Sequence, residues 1–187
     1  FKVKIDRVDA NDDTLKINKN VKGKLICYNI REKKKKLKNY YDIIFAFDVI
    51  EHVKNDLNFL KDALFHLKSN GLIIINVPSI QKLFSKYDHA VGHLRRYNKY
   101  DFYLFKKKLN LYSISINYWG LLLIPILILR KFILMLYNQN NYKKIITSGW
   151  KTNKYLNQFF KIIMNFELKF LKKNFSGSSI MAIFKKI

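Results

Sequence analysis

The chain has 187 residues, of which 49% are apolar, and this content excludes a disordered polypeptide and allows one domain with a substantial core. Its 36 lysines and arginines against 13 acidic residues give a net charge of +23, which indicates an anionic partner, unless the scattered lysines only reflect a compositional bias. The single cysteine, Cys27, excludes a disulfide framework and a cysteine-based zinc site and suits the reducing cytoplasm.

Apolar segments of strand length recur through the first half of the chain. Phe1, Val3 and Ile5 alternate with polar residues and predict a strand that ends at Asp9. Further apolar runs have the length and composition of strands in a parallel sheet. They predict strands at residues 24–30, 43–47 and 72–76.

Helical patterns lie between these predicted strands. A short helix is expected at residues 14–20. Asp56 is the predicted N-cap of the next helix. Gly71 is expected to end that helix in a left-handed conformation. The apolar face of this second helix consists of leucines spaced three or four residues apart, namely Leu57, Leu60, Leu64 and Leu67.

The second half of the chain predicts one more helix and two more strands. Asn98, with Asp101 three residues later, marks the start of a helix that runs to about residue 109. Residues 112–118 alternate in polarity, and residues 178–184 follow a turn, so both read as strands that pair antiparallel at one edge. The order of elements predicts an α/β fold with a doubly wound, mostly parallel sheet.

An apolar insertion separates the last two predicted strands. Residues 119–137, from Trp119 to Tyr137, are the most apolar part of the chain, but Pro125, Arg130 and Lys131 interrupt them. A transmembrane helix needs about 20 mostly apolar residues, so a helical hairpin or lid over a substrate site is favoured, with a membrane surface as an additional contact.

The insertion is expected to extend over residues 119–173 of a single domain, and its second helix carries an aromatic stripe interpreted as core. The stripe consists of Leu156, Phe159, Phe160, Ile163, Phe166 and Phe170.

Polar residues at the first two strand ends suggest a nucleotide site, since ligands of open α/β sheets bind at the carboxyl ends of strands. The carboxylate of Asp9 suits the two hydroxyls of a ribose. Asn29 suits an adenine edge, with Ile30 packed on the ring. The structural alternatives, a capping aspartate and a turn asparagine, are equally compatible with the sequence.

The third predicted strand ends in Phe47 and is followed by Asp48, Glu51 and His52. Carboxylate and imidazole groups this close together suit a divalent metal ion, and His52 alone suits a general base. The structural alternative is that Glu51 and His52 only cap and hold the short turn.

The loop after the fourth strand is basic and aromatic. His93 is a second candidate base. Arg95, Arg96 and Tyr97 are candidates for closing over the site and holding an anionic substrate group. A basic, solvated surface run is the alternative interpretation.

Five segments resemble successive motifs of class I S-adenosylmethionine-dependent methyltransferases, in the small-molecule group that includes the ubiquinone-biosynthesis O-methyltransferases. They are DIIFAFDVIEHV, LKSNGLIIINVPS, GHLRRYNKYDF, YWGLLLIPILILR and GSSIMAIFKK.

The resemblance implies a Rossmann-like fold, S-adenosylmethionine as cofactor, and methyl transfer to a small-molecule or lipid-like acceptor. It implies Asp9 on the ribose, Asn29 and Ile30 beside the adenine, Phe47 at the methionine portion, and Asp48 as a further cofactor-binding residue. In quinone-type relatives an acidic-x-x-Glu-His cluster is linked to magnesium, which implies Asp48, Glu51 and His52 here, with Asp in place of the usual first Glu.

One family feature is not found in the sequence. The family has a glycine-rich cofactor turn on the strand before Asp9, but none of the six glycines forms a GxG pattern. The chain also begins with Phe1 rather than methionine. The expectation is an N-terminally truncated domain without its first strand, in which cofactor binding is weak.

Two rival functions follow from the charge and the apolar insertion. A basic nucleic-acid-binding protein predicts affinity that falls steeply with salt, although no aromatic-rich RNA motif is present. A membrane-surface protein, derived from a degenerate methyltransferase, predicts lysines against anionic lipid.

Overall fold

The computed structural model describes residues 4–11, 13, 23–136, 145, 154–171 and 174–187. The predicted helix at residues 14–20 and residues 1–3 of the first predicted strand lie outside these ranges. The described strands are β1 (Arg7–Asp9), β2 (Leu25–Cys27), β3 (Tyr41–Phe47), β4 (Leu67–Pro78), β5 (Leu111–Trp119) and β6 (Ser179–Lys186). The described α-helices are α1 (Asp56–His66), α2 (Lys86–Ala90), α3 (Lys99–Leu109), α4 (Ile124–Leu136) and α5 (Lys154–Phe170).

The strands form two sheets. β1 and β2 pair in parallel by themselves, and the main sheet has the order β3-β4-β6-β5. β3 and β4 are parallel, whereas β6 runs antiparallel to both of its neighbours. The α/β class is therefore confirmed, together with antiparallel pairing of the last two strands. The C-terminal strand is not the edge, however, because β6 lies inside the sheet and β5 is outermost.

One face of the main sheet carries the core. The side chains of Ala46, Ile73, Ile75 and Phe184 are buried under α1 and α3. The opposite face of β3 is open, since Ile43, Phe45 and Phe47 are each close to half exposed. The alternation along β3 thus separates a packed face from an uncovered one.

Helix α1 begins and ends at residues other than those predicted. The N-cap is Asn55, whose side chain accepts a hydrogen bond from the Asn58 N–H at 3.0 Å, so the assignment of Asp56 was wrong. The helix ends at His66, and Leu67 already pairs with Tyr41 in the sheet. The left-handed residue is Asn70, with φ 64°, and not Gly71.

The strand predicted at residues 24–30 is shorter than expected. It ends at Cys27, and the side chain of Asn29 caps a 3-10 turn at Ile30–Glu32 by accepting a hydrogen bond from the Arg31 N–H at 3.1 Å. The asparagine thus takes the turn role that the sequence had left open. By contrast, the capping box of Asn98 and Asp101 at the start of α3 is confirmed.

The insertion between β5 and β6 contains a 3-10 turn (Leu121–Leu123), α4 and α5. A buried carboxylate connects them: Glu167 of α5 accepts hydrogen bonds from the backbone N–H groups of Gly120, Leu121 and Leu122 at 2.6, 3.0 and 3.0 Å. In the part of the chain that is described, no helix is both long and apolar enough to cross a membrane.

The aromatic stripe of α5 is not core. Phe159, Phe166 and Phe170 are 53, 53 and 61% exposed, whereas Glu167 on the same helix is buried. The helix therefore packs through a narrow side and presents much of its apolar surface to solvent.

Candidate functional site

The carboxyl ends of the parallel strands β3 and β4 form a corner where several loops meet. Asp48 follows β3 in the left-handed region, with φ 51°, and its backbone N–H donates to the Asn76 carbonyl at 2.8 Å. The chain then enters a 3-10 turn, Ile50–His52. The loop after α2 crosses this turn, since the Leu94 N–H donates to the Glu51 carbonyl at 2.8 Å.

Glu51 is the most unusual residue of this corner. Its side chain is completely buried, and no other described residue donates a hydrogen bond to either carboxylate oxygen. Burial, with a smaller contribution from the charge of Asp48, raises the pKa of Glu51 to about 7, although its own backbone N–H and His93 oppose the increase. Burial also raises the pKa of Asp48. An unpartnered buried carboxyl is costly for folding and is typical of a functional site.

Asp88 organises the loop that faces Glu51. Its Oδ2 accepts hydrogen bonds from the backbone N–H and hydroxyl of Ser85 at 2.9 and 3.0 Å, which closes a capping box at the start of α2. Its Oδ1 lies 2.8 Å from Nη2 of Arg96 and 3.0 Å from Nδ1 of His93. Although burial opposes ionisation, the His93 hydrogen bond and the Arg96 charge hold the pKa of Asp88 at about 2. Asp88 is therefore a carboxylate at neutral pH.

The two imidazoles of the corner lie against each other. The ring centroids of His52 and His93 are 4.8 Å apart at an interplanar angle of 71°. Nδ1 of His52 donates to the Gly92 carbonyl at 3.1 Å. Nε2 of His93 is 3.9 Å from Oε1 of Glu51, too far for a hydrogen bond. Glu51, His52 and His93 each offer one ligand atom within 4.8 Å of the others, and Asp48 is not part of this group.

The remaining loop residues have internal partners. Arg95 donates through Nη1 to Asp56 at 3.1 Å and through Nη2 to the Lys54 carbonyl at 2.8 Å. The hydroxyl of buried Tyr97 donates to Asp56 at 3.0 Å, and burial raises its pKa. Arg96 is buried against Asp88. Contact of these residues with an anionic substrate therefore stays a prediction.

The residues predicted to hold a nucleotide lie apart from this cluster. Asp9 ends β1 and accepts a hydrogen bond from the Asn11 N–H at 2.9 Å, and Asn29 caps its turn. Ile30 packs against the core, while Phe47 is 47% exposed at the end of β3. The structure thus brings His93 to Glu51 and His52, and leaves Asp9 at the end of β1 and Asn29 in the turn after β2, outside the main sheet.

Sequence reasoning missed two acidic residues of this region as site components. Asp88 was not identified as the partner of His93, although the Ser85-x-x-Asp88 capping spacing was a readable signal. Asp56 was interpreted only as a helix cap, yet its side chain contacts both Arg95 and Tyr97. No local pattern indicated that second role.

The chain is similar to known proteins in both sequence and fold. A family model described as a methyltransferase domain matches residues 3–115. No functionally curated protein matches the chain in sequence.

Three solved structures illustrate the similarity of fold. A SAM-dependent methyltransferase from Archaeoglobus fulgidus is 15% identical, with 97% of this chain and 75% of that chain covered and a TM-score of 0.55. The YcgJ protein from Bacillus subtilis is 14% identical, with 98% of this chain and 82% of that chain covered and a TM-score of 0.57. The plantazolicin methyltransferase BpumL in complex with SAH is 15% identical, with 98% of this chain and 66% of that chain covered and a TM-score of 0.52. At this level of identity the likeness indicates a shared fold.

Proposed function

The chain belongs to the methyltransferase-domain family, and we propose that its acceptor, a small or lipid-like molecule, binds beside Glu51, His52 and His93. The family model covers more than half of the 187 residues. The protein is accordingly a class I methyltransferase whose cofactor is S-adenosylmethionine, and the BpumL structure holds SAH, the product form of that cofactor. The observation that supports the position of the acceptor is the pair of imidazoles against a buried carboxyl at the strand ends.

Methyl transfer needs no covalent bond between the protein and either substrate. A lone pair on the acceptor attacks the methyl carbon of the sulfonium in line with the breaking sulfur–carbon bond, and the electron pair of that bond stays on sulfur. The protein contributes chiefly by holding donor and acceptor in this alignment. A hydroxyl or ammonium acceptor must also lose a proton, which needs a base within hydrogen-bond reach.

The imidazoles of His52 and His93 are the proposed proton acceptors. In each neutral ring Nδ1 carries the hydrogen, because its partner, the Gly92 carbonyl or the Asp88 carboxylate, can only accept. The basic atom of both rings is therefore Nε2. Asp88 fixes the ring of His93 in this tautomer and acts as a positioning residue.

The cofactor is proposed to lie across the ends of β1, β2 and β3. Asp9 would bind the ribose hydroxyls, Asn29 and Ile30 the adenine, and Phe47 the methionine portion, with Asp48 as a further cofactor-binding residue, as in the resembling family. Asp9 ends β1, Asn29 and Ile30 follow β2, and Phe47 ends β3, so all of them lie at or just after the carboxyl ends of strands, which supports a ligand crevice there.

A further strand is proposed to complete the sheet between β1 and β3. Among the described strands, β3 pairs only with β4 and β1 only with β2, so each of the two has an unpaired edge. The hydroxyl of Tyr41 on β3 reaches Asp6 beside β1 at 3.3 Å, so the two edges stay close. A strand with a glycine-rich turn would fill this gap and supply the backbone contacts to the cofactor that the chain lacks.

The apolar insertion supports a lipid-like acceptor and a peripheral position on the cytoplasmic side of a membrane. On its inner side α4 packs against α2 and the 3-10 turn Gln81–Leu83. Arg130 lies 4.1 Å from the ring centroid of Tyr87, and Lys131 donates to the Lys82 carbonyl at 2.6 Å. On its outer side Leu129, Phe132 and Leu136 are 61, 61 and 84% exposed. The outer side is proposed to rest on an anionic bilayer, with the net charge of +23 in support.

The experiment uses the protein expressed from its complete gene, S-adenosylmethionine labelled in the methyl group, and separate lipid and aqueous extracts as acceptor sources. Label is expected in the lipid fraction, and binding of S-adenosylmethionine is expected to weaken in Asp9→Ala. His93→Asn should lower methyl transfer by about 100-fold or more while cofactor binding persists, since general bases contribute roughly 10²–10⁴-fold. His89→Asn, on the exposed side of α2, is the matched control.

Absence of both cofactor binding and label transfer would exclude the proposed reaction. Label confined to the aqueous fraction would retain the reaction and reject the lipid acceptor.

A further inference from the structure

We propose that Glu51, His52 and His93 bind one divalent transition-metal ion, with zinc as the reference ion. The donor set is two imidazole nitrogens and one carboxylate oxygen, all within 4.8 Å of one another. This proposal deepens the proposed function, because the same corner receives the acceptor. It depends on observations of its own, namely the hydrogen-bond partners of the two imidazoles and the missing partners of Glu51.

Both imidazoles have the partners that metal-ligating histidines usually have. Such a histidine donates its second ring N–H to a carboxylate or a backbone carbonyl, which fixes the tautomer and turns the other nitrogen toward the ion. His93 donates from Nδ1 to Asp88 at 3.0 Å, and His52 donates from Nδ1 to the Gly92 carbonyl at 3.1 Å. Two neighbouring histidines thus present Nε2 lone pairs with both outer hydrogen bonds already made.

Glu51 supplies the independent observation. Its carboxyl is completely buried, and in the described part of the chain no other residue donates a hydrogen bond to it. The two arginines that follow His93 in the sequence have other partners, since Arg95 is bound to Asp56 and Arg96 to Asp88. A buried carboxyl without a partner is explained when a cation completes its coordination.

The distances allow an ion after a side-chain adjustment. Zinc binds nitrogen and oxygen at roughly 2.0–2.2 Å in a tetrahedron, so two donors on one ion lie about 3.3–3.6 Å apart. The 3.9 Å between Nε2 of His93 and Oε1 of Glu51 has to shorten by about half an ångström. The widest pair, within 4.8 Å, has to approach by up to about 1.5 Å. Rotation of the exposed His52 side chain can supply this movement.

The donor chemistry selects the kind of metal. Magnesium prefers an octahedron of oxygens, whereas imidazole suits zinc, iron, nickel and copper. The proposed site differs from the magnesium site expected from Asp48, Glu51 and His52 in that His93 takes the place of Asp48. A divalent ion at this position would occupy both Nε2 lone pairs, so the imidazoles would no longer serve as bases. The ion would take over that task by lowering the pKa of a nearby acceptor hydroxyl.

The test measures metal binding without reference to turnover. Tag-free protein stripped with a chelator is titrated with Co²⁺, whose visible absorption reports coordination by nitrogen and oxygen, and Zn²⁺ and Mg²⁺ are added as competitors. One equivalent of Co²⁺ is expected to bind, Zn²⁺ to displace it and Mg²⁺ to leave it in place. Glu51→Gln and His52→Asn should each weaken binding by more than the roughly 10- to 100-fold typical of lost outer partners.

His89→Asn is the matched histidine control and should bind like the unmodified protein. His52 is exposed, so His52→Asn keeps the fold even where Glu51→Gln does not, and circular dichroism verifies both. The metal site is overturned if the protein does not bind Co²⁺ and Zn²⁺ stoichiometrically, or if both variants bind these ions as tightly as the unmodified protein does. Full methyl transfer by stripped protein would overturn the contribution of the ion to the reaction, whereas a metal-loaded protein that binds no S-adenosylmethionine would overturn the proposed function alone.

Discussion

Arg96 and Asp88 form an ion pair in the protein interior, with Nε and Nη2 of the arginine 2.9 and 2.8 Å from the same carboxylate oxygen. Both side chains are at least 95% buried. The same Asp88 also holds His93 and the start of α2. One carboxylate therefore couples the geometry of the site loop to the stability of the fold.

Replacing Asp88 by asparagine should destabilise the protein strongly. Breaking a buried ion pair leaves an uncompensated charge, here on Arg96, and typically costs about 3–5 kcal/mol. Urea denaturation measures the free energy of unfolding. Asp42→Asn is the matched control, because the Asp42–Lys68 pair at 2.8 Å is exposed and such pairs contribute about 0–1 kcal/mol. Equal losses in the two variants would contradict the assigned role of Asp88.

Replacing Glu167 by glutamine should loosen the turn that precedes α4. The carboxylate accepts three backbone hydrogen bonds and one from the Asn174 side chain at 2.6 Å, and each bond to a charged group contributes roughly 1.5–3 kcal/mol. Hydrogen exchange at Gly120, Leu121 and Leu122 is expected to accelerate by about tenfold or more. Glu32→Gln, on an exposed side chain, should leave exchange at these amides unchanged.

Alkaline pH should weaken the fold through Tyr41. Burial, and then the charge of Asp6, raises the pKa of Tyr41 from 10.0 to about 12. Because the folded protein holds the Tyr41 proton more tightly than the unfolded chain, this group contributes its full stability below the unfolded pKa of 10.0. That contribution to the free energy of unfolding is lost as the pH rises from 10 to about 12. The free energy of unfolding should fall more steeply over this interval in the unmodified protein than in Tyr41→Phe. Tyr100→Phe, at a 66% exposed position, should follow the unmodified protein.

Two charges on the outer side of α4 should weaken the proposed binding to a membrane. Leu129→Glu with Phe132→Glu removes apolar side chains worth roughly 1.5–3 kcal/mol each on burial. Co-sedimentation with anionic vesicles is expected to fall by about tenfold or more. The control is Tyr100→Glu with Tyr103→Glu, which adds the same charge on exposed positions of α3. Unchanged vesicle binding in the α4 variant, or a dimer of the unmodified protein that the α4 variant converts to monomer, would reject the bilayer as its occupant.

Local signals in the sequence predicted the elements whose ends are set by neighbouring residues. Asn98 and Asp101 predicted the start of α3, because a capping box involves only residues three apart. The end of α1 was not predictable in this way. Tyr41 draws Leu67 into the sheet, so pairing with a distant strand ends the helix before the Asn70-Gly71 signal is reached.

The sequence identified which residues belong to the candidate site, but it did not predict which of them contact each other. Asp48, Glu51 and His52 adjoin one strand end, so their proximity follows from the chain itself. The contact of His93 with Glu51 spans 42 positions and depends on the return of the loop across the turn. The exposure of Phe159 and Phe166 could not be predicted either, because helical periodicity identifies the apolar side of a helix but not whether another element covers that side.

The position of β6 in the sheet affects how the protein folds during its synthesis. Residues 179–186 lie between β4 and β5, and Lys186 donates to the carbonyls of Leu64 and Leu67 more than a hundred positions earlier. On the ribosome, β4 and β5 would emerge with an unfilled gap between two unpaired edges. A chaperone that shields apolar strands should therefore bind the nascent chain until residue 186 has left the exit tunnel.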